Sequence, residues 1–340
     1  MAKLAHTVRT RTPGPTRRSI LASGAAFATA MPAVAASTDP GLKLRLGHSL
    51  PRTHPVHPAM EYMAALVRER SGGAIQIDIF SDGDLGQEVQ LVEHLRAGRI
   101  DLAKVSASVL ERRVPPFRLF DVPFLFRDNA HWAATVTGSV GQEVLASGTE
   151  HGLVGLVFYE AGTRSFYGGR PIMAPEDLRG LSVRIQPSPT MARMIRALDG
   201  NPSELPWAAT YSALQTGLVQ AAENSIAALI AGRHAEVIRY YCFDEHTAVP
   251  DVLVMSGQRW ATLDGKARTL LRDAARDSSE RMNALWSVFT AEVRRASEAL
   301  GVSFLHPDKA PFVARTAAIR QEYASEPDIG PLIARILQLA

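Results

Sequence analysis

The order of apolar patterns between residues 42 and 105 constrains the fold more than any other feature of this chain. Leu42–His48 alternates apolar and polar residues as a strand does, and Ile75–Phe80 and Ile100–Val105 repeat the signal. Helical spacing separates these strands at Pro55–Arg70 and near Glu88–Ala97. A strand-helix-strand-helix-strand order predicts a doubly wound α/β fold.

Polar residues follow each of these three predicted strands. His48 and Ser49 follow the first strand, Ser81–Glu88 follows the second, and Ser106 follows the third. In open α/β sheets, ligands bind outside the carboxyl ends of the strands. We therefore expect a small hydrophilic ligand at this edge of the sheet.

A second α/β unit is predicted to begin near the strand Leu153–Tyr159. It continues through a loop, Glu160–Gly169, that carries Arg164, and then through a short strand, Leu181–Gln186, that carries Arg184. These two arginines are the central candidates for ligand binding.

The length of 340 residues is sufficient for two domains of ordinary size. His246–Ser256 is interpreted as a segment that crosses back to the first unit, and helical patterns dominate from Leu263 onward. We predict a periplasmic binding protein-like architecture of two doubly wound α/β domains with a ligand cleft between them. The predicted domains are residues 37–161 with about 249–290, and residues 162–248 with about 291–340.

The basic bias of the chain lies in its first 36 residues. The whole sequence has 37 Lys and Arg against 34 Asp and Glu. Five of the basic residues, and none of the acidic ones, precede residue 37, so the remainder has 32 basic and 34 acidic side chains. Nucleic-acid binding therefore loses its main support.

Residues 1–36 have the features of a cleavable export signal. Thr16–Leu21 contains the arginine pair of a twin-arginine motif, an apolar stretch follows from Ile20 to Met31, and Ala33-Val34-Ala35 has the small-x-small pattern of a cleavage site. The apolar stretch is about half of the ~20 residues that span a membrane. We expect a soluble periplasmic protein, with an uncleaved anchor as the alternative.

Arg184 stands within an apolar strand, where an unpaired guanidinium costs several kcal/mol. A ligand carboxylate matches the planar donor geometry of arginine. The alternative is that Arg184 or Arg164 pairs with an acid nearby in sequence: Glu160, Glu176 or Asp177.

Several ordered motifs resemble the substrate-binding proteins of tripartite ATP-independent periplasmic (TRAP) transporters, the DctP family. They are Leu85-Gly86-Gln87-Glu88, Pro123-Phe124-Leu125-Phe126, Gly162–Tyr167, the Arg184 strand followed by Pro187-Ser188, and Tyr211–Gly217 followed by Glu223-Asn224. The resemblance extends from about Lys43 to about Trp286. It implies a protein that captures an organic acid and delivers it to a membrane-embedded TRAP permease.

The resemblance also implies roles for individual residues. Arg184 occupies the position of the carboxylate-binding arginine, and Arg164 matches a second arginine that many members use. Asn224 matches a ligand-contacting amide, with a helix C-cap as the alternative. Trp207 matches an aromatic residue that packs against the ligand, with core packing as the alternative. Glu88 matches an acid found with polyhydroxylated ligands, with a helix first-turn acid as the alternative.

Three further candidates come from their places in the predicted fold. His54 lies in the loop before the first helix, and Ser49 and Ser106 lie at strand ends. His48, His54 and His57 fall within ten residues, but prolines interrupt the spacing and no cysteine lies nearby, so we predict no metal site. No catalytic residue and no cofactor are predicted either.

Glu160–Tyr167 and Tyr240–His246 look most like the branch of the family that binds hexuronates such as glucuronate and galacturonate. The rival ligands are aldonates, C4-dicarboxylates, 2-oxo acids and aromatic acids. Ala209, Gln220 and Leu198-Asp199 depart from the usual family pattern and make the contacts beyond the carboxylate uncertain.

Two other functions remain open on the same fold: a ligand sensor for a membrane kinase, and a periplasmic enzyme using Glu88 with His54 or Glu223. The sequence has no G-x-S-x-G, H-E-x-x-H or phosphate-loop motif. We therefore predict a binding protein rather than an enzyme, and a monomer.

Overall fold

Two mixed β-sheets flanked by helices organise the protein in a computed structural model that describes residues 41–339. The predicted export signal lies outside the described residues. The strands are β1 (Leu42–Gly47), β2 (Ile75–Phe80), β3 (Leu102–Ser106), β4 (Leu153–Tyr159), β5 (Arg164–Gly168), β6 (Ser182–Ile185), β7 (Asn201–Glu204), β8 (Ala221–Asn224), β9 (Tyr240–Thr247), β10 (Asp251–Ser256) and β11 (Ser303–Leu305). The helices are α1 (Val56–Arg70), α2 (Glu88–Arg96), α3 (Ala107–Leu110), α4 (Asn129–Thr137), α5 (Ser139–Ser147), α6 (Pro189–Ala197), α7 (Thr210–Gln215), α8 (Ala228–Ala231), α9 (Gly257–Thr262), α10 (Gly265–Ala299), α11 (Ala310–Arg315), α12 (Ala317–Ala324) and α13 (Gly330–Leu337).

The first sheet has the strand order β2-β1-β3-β10-β4. Strand β1 pairs in parallel with β2 and β3, whereas β10 returns from the second sheet and pairs antiparallel with β3 and β4. The predicted succession β1-α1-β2-α2-β3 is confirmed, with bounds within two residues of those expected. The predicted return crossing is also confirmed, because β10 lies between two strands of the first sheet.

The prediction that Leu153–Tyr159 opens the second unit is wrong. This segment is β4, an edge strand of the first sheet, and Asp251 of β10 pairs with its last residue, Tyr159. The apolar run of β4 identifies a buried strand, but only its pairing with β10, almost one hundred residues later, determines which sheet it joins.

The second sheet has the strand order β11-β9-β5-β8-β6-β7. Arg164 begins β5, so its predicted place in a loop is wrong; antiparallel pairing with β8 and β9 extends this segment. Asn224 ends β8, nine residues after helix α7 has ended at Gln215, so the helix C-cap alternative is also wrong. Because β5, β8 and β6 are neighbours, Arg164, Asn224 and Arg184 come together on adjacent strands.

The long helix α10 packs against both sheets. Its first half buries Leu271, Ala274 and Met282 in an apolar cluster with β1 and α1, and further along Val293 joins a cluster with Tyr167 of the second sheet. At about 1.5 Å per residue, its 35 residues extend over roughly 50 Å. Sheet membership follows from the pairings given above, whereas the predicted domain boundaries remain predictions.

Among residues 41–339, no helix combines the length and the apolar character that crossing a membrane would require.

Candidate functional site

A cavity of about 330 Å³ lies between residues of the first and the second sheet. This volume is within the range of roughly 300–1,000 Å³ that is typical of small-molecule sites. The structure places all eight predicted site residues in its lining: Ser49, His54, Glu88, Ser106, Arg164, Arg184, Trp207 and Asn224. Their contact with a ligand remains a prediction.

Arg184 is a buried cation with an incomplete set of partners. Only 1% of the residue is exposed, and its Nε and Nη2 atoms donate to the Leu205 carbonyl oxygen at 3.1 and 2.8 Å. Its Nη1 atom is buried and has no hydrogen-bond partner in the described part of the chain. Burial lowers the pKa of Arg184, as expected for a desolvated cation. Its hydrogen bonds within the described residues go to Leu205 and not to Glu160, Glu176 or Asp177.

Arg164 lies in the opposite situation, because an acid already neutralises it. Its Nε and Nη2 atoms donate to the two carboxylate oxygens of Glu223 at 2.6 and 2.9 Å, and Nη2 also reaches the Glu223 carbonyl oxygen at 3.0 Å. Its Nη1 atom donates to Asn224 Oδ1 at 3.0 Å. The acid partner predicted as an alternative therefore exists, but it is Glu223 rather than Glu160, Glu176 or Asp177.

Electrostatics hold this pair in its charged form. Burial alone would raise the pKa of Glu223, but Arg164 and His246 outweigh it and lower the pKa to about 2. Burial alone would lower the pKa of His246, but Asp244 at 2.8 Å and Glu223 at 3.5 Å raise it to about 9. Arg164 and His246 thus alternate with Glu223 and Asp244 as a buried row of opposite charges.

The register of β5 against β8 explains why Glu223 is the partner of Arg164. Phe166 pairs with Glu223 and Ser165 with Asn224, so the start of β5 runs alongside the end of β8. Asn224 Oδ1 accepts from both Arg164 Nη1 and the Ser225 amide. An amide presents its donors on the other atom, so the Asn224 nitrogen is the group suited to a ligand oxygen.

The first sheet contributes a buried cluster of three charges to the cavity lining. Lys104 of β3 donates to Glu88 Oε1 at 3.0 Å and to Asp251 Oδ1 at 2.9 Å. The Ser106 amide donates to Glu88 Oε2 at 3.2 Å. Glu88 is the first residue of α2, so it has the helix first-turn position that was predicted as the alternative. The same residue also lines the cavity.

Sequence reasoning missed Lys104 and Asp251, although one signal was present. Lys104 interrupts the apolar strand Leu102–Val105 in the same way that Arg184 interrupts its own strand. Burial alone would lower the pKa of Lys104, but Asp251 and Glu88 outweigh it and raise the pKa. Burial raises the pKa of Asp251 against the opposing charge of Lys104, and Glu88 adds to the rise.

The remaining candidates supply uncharged surface. His54 is buried, and burial together with Lys104 lowers its pKa well below its usual value, so its ring is neutral. Its Nδ1 atom accepts from the Val56 amide at 3.3 Å. Trp207 is half-buried, and its ring centroid lies 5.4 Å from that of His234. The same side chain therefore packs against its neighbours and lines the cavity.

Two serines complete the predicted set. Ser106 Oγ donates to Gln186 Oε1 at 3.0 Å and so links the end of β3 to the residue after β6. Ser49 Oγ is buried and has no partner among the residues of the described range. Within residues 41–339, no cluster of three or more His, Cys, Asp or Glu residues is arranged to hold a metal ion. His48 Nε2 instead lies 3.0 Å from His57 Nδ1.

Comparison with known families gives a match over most of the chain. The model of the bacterial extracellular solute-binding proteins, family 7 (DctP), matches residues 46–326. The chain belongs to this family. TRAP solute-binding proteins are periplasmic. One relative, the 2,3-diketo-L-gulonate-binding periplasmic protein YiaO of Escherichia coli, is 29% identical over 75% of this chain and 78% of its own length.

Solved structures agree with the fold. A TRAP periplasmic solute-binding protein of Bradyrhizobium, in complex with galacturonate, is 35% identical with a TM-score of 0.85, covering 87% of this chain and 100% of its own. One of Pseudomonas putida F1, with bound D-glucuronate, is 31% identical with a TM-score of 0.85, covering 88% and 97%. The predicted family and the predicted fold class are confirmed.

Proposed function

We propose that this protein captures a hexuronate, glucuronate or galacturonate, and delivers it to a TRAP membrane permease. The observation that carries the proposal is the buried Arg184, whose Nη1 atom has no partner in the described chain and whose nitrogens contact no acid. A buried cation of this kind gains most from a ligand that brings its own carboxylate.

The rest of the lining suits a ligand with many hydroxyl groups. The Glu88 carboxylate accepts hydrogen bonds, the Asn224 amide offers donors, and the hydroxyls of Ser49 and Ser106 do both. The Trp207 ring offers a flat surface for the apolar face of a pyranose. Structures similar to this chain hold galacturonate and D-glucuronate, which supports the choice of a hexuronate among the organic acids.

Delivery would follow capture without chemistry on the ligand. We expect no turnover of the bound acid, export by the twin-arginine signal, and a monomer in solution. The family supports the permease as the partner. The ligand cleft would close by movement of the two predicted domains, which excludes water and strengthens the arginine-carboxylate contact.

A thermal-unfolding screen tests the proposal. The purified protein is mixed with hexuronates, aldonates, C4-dicarboxylates and 2-oxo acids, alongside Arg184→Ala and the control Arg179→Ala. Arg179 is a solvent-exposed arginine before β6 and is not among the residues that line the cavity. A ligand at 100 times its dissociation constant adds about 2.7 kcal/mol to the free energy of unfolding.

We expect galacturonate or glucuronate to stabilise the wild type and the Arg179 variant, but not the Arg184 variant. Stabilisation by a dicarboxylate or a 2-oxo acid alone would replace the hexuronate with another acid. Stabilisation of Arg184→Ala equal to that of the wild type would contradict the role of Arg184.

A further inference from the structure

The charged groups of the cavity lining are distributed unevenly between the two sheets. The second sheet supplies two arginines to the lining, and Glu223, which is buried and is not a lining residue, pairs with Arg164. The first-sheet side supplies Lys104 of β3, Asp251 of β10 and Glu88 of α2, and the two carboxylates share one ammonium group. With all groups ionised, the second-sheet side has a charge of +1 and the first-sheet side a charge of −1.

Direct neutralisation of the first-sheet side is incomplete, because the cavity arginines attract it only at longer range, Arg184 acting on Glu88 and Arg164 on Asp251. Lys104 is the cation that contacts Glu88 and Asp251 within the described residues, and its side chain is only 3% exposed. The side chains of Glu88 and Asp251 are 12% and 10% exposed, so bulk water screens them poorly. Two of the three donors of the Lys104 ammonium group are already used.

This cluster would attract a hydroxyl group of a ligand and repel a second ligand carboxylate. A hydroxyl group can donate to the carboxylates of Glu88 or Asp251. A second ligand carboxylate has no proton to donate, and it could reach Lys104 only by approaching both acids. Like charges placed together in a poorly screened interface repel one another strongly, so such a ligand is rejected.

We propose that the Glu88–Lys104–Asp251 cluster is a charge filter that restricts the site to acids with a single carboxylate and excludes aldarates and other dicarboxylates. The inference rests on the proposed function, because it assumes that the ligand carboxylate occupies the arginine side. Lys104 and Asp251 thereby have a role in specificity. Glu88 repels a second carboxylate in addition to accepting hydrogen bonds from ligand hydroxyls.

Titration calorimetry with three related acids tests the filter. Galacturonate is the cyclic monocarboxylate, galactonate is an open-chain monocarboxylate, and galactarate is the open-chain dicarboxylate that differs from galactonate at one terminal carbon. Galactonate thus separates the effect of ring opening from that of the second charge. The variants are Glu88→Gln, Asp251→Asn and their combination, which change the cluster charge from −1 to 0 and then to +1.

Glu93→Gln is the matched control. Glu93 lies on the same helix as Glu88 but pairs with Arg113 at the surface, so the substitution removes one charge from α2 without changing the cavity. Thermal unfolding of each variant, with and without galacturonate, shows whether it is folded and retains a site.

The wild type is expected to bind galacturonate and to reject galactarate. Each neutralised carboxylate should raise the affinity for galactarate relative to galacturonate by at least about tenfold, with the largest gain in the double variant. Glu93→Gln should leave that ratio unchanged.

Wild-type binding of galactarate as tight as that of galacturonate would overturn the filter, and so would an unchanged ratio in the folded variants. In both cases the hexuronate proposal would survive. Failure of the wild type to bind galacturonate would instead overturn the hexuronate proposal, and the filter with it.

Discussion

Arg164 and Arg184 lie on β5 and β6, with only β8 between them, and both line the same cavity. Both are almost completely buried, at 5% and 1% exposure. Arg164 donates to both oxygens of the Glu223 carboxylate and to Asn224, whereas Arg184, among residues 41–339, donates only to the backbone carbonyl of Leu205. Two arginines that are similarly buried therefore differ in whether an acid of the protein neutralises them.

The difference shows that burial alone does not identify a ligand-binding arginine. Arg164 is neutralised within the protein, so its main contribution is to hold Glu223 and Asn224 in place, with one N–H of Nη1 left for a ligand. Arg184 keeps an unbalanced charge, which a ligand carboxylate would neutralise. The comparison predicts that substitutions at the two positions affect stability and binding in opposite proportions.

The largest expected effect is the loss of stability in Arg164→Met. The substitution leaves the Glu223 carboxylate buried without its main partner, so the free energy of unfolding should fall by about 3–5 kcal/mol. Urea denaturation without ligand measures this change. Adding Glu223→Gln to Arg164→Met should recover part of the loss, and a loss below about 1 kcal/mol in the single variant would contradict the structural role of Arg164.

Arg184→Met should have the reverse profile. We expect the affinity for the hexuronate to fall at least about 100-fold, because a buried charge-assisted contact is lost. The free energy of unfolding should change by less than about 1 kcal/mol, since the substitution also removes a poorly paired buried cation. Calorimetry and urea denaturation on the same preparation measure both quantities. A large loss of stability with unchanged affinity would contradict this prediction and would give Arg184 the structural role that is assigned to Arg164.

The stability of the Arg164 pair should depend on pH in a definite direction. The pKa of Glu223 is about 2 in the folded protein, below its usual value of 4.5. Its contribution is therefore fully present above about pH 4.5 and is lost as the pH falls toward 2. We expect the stability advantage of the wild type over Glu223→Gln at neutral pH to shrink as the solution is acidified.

Urea denaturation at a series of pH values checks this dependence. His246 gives the opposite pH dependence of stability, because its pKa is raised to about 9 in the folded protein. Its stabilising effect is fully present below about pH 6.5 and is lost as the pH rises through 9. A difference between wild type and Glu223→Gln that stays constant down to pH 2 would mean that Arg164 does not hold Glu223 in its charged form.

The smallest expected effect separates charge from geometry at Arg184. Arg184→Lys keeps a positive charge but replaces the planar guanidinium with a point charge, so two-point recognition of a carboxylate is lost. We expect an affinity about tenfold below that of the wild type, between the wild type and Arg184→Met. Equal affinity of the Lys variant and the wild type would show that charge alone is sufficient.

The sequence predicted most successfully those features that depend on local patterns. The elements from β1 to β3 follow from apolar periodicity, and their predicted bounds are within two residues of those observed. The placement of β4 in the first sheet and of Arg164 in β5 was not predictable in this way. Both depend on pairing with strands that come much later in the chain.

The candidate site followed the same rule. Residues at strand ends and residues within the family motifs were found, and they line one cavity. Their hydrogen-bond partners were not found, because Glu223 reaches Arg164 only through the register of β5 against β8. Lys104 is the exception: its charge within an apolar strand was a local signal, and its partner Asp251 comes from a strand almost 150 residues away.

A crystal structure of the complex with galacturonate is the sharpest test of whether Arg184 binds the ligand carboxylate. We expect a carboxylate oxygen of the ligand within about 3 Å of Arg184 Nη1, with Glu223 still paired with Arg164 and the sugar hydroxyls toward Glu88. A ligand carboxylate placed on Lys104, or held by Arg164 after displacing Glu223 while Arg184 makes no contact, would contradict it.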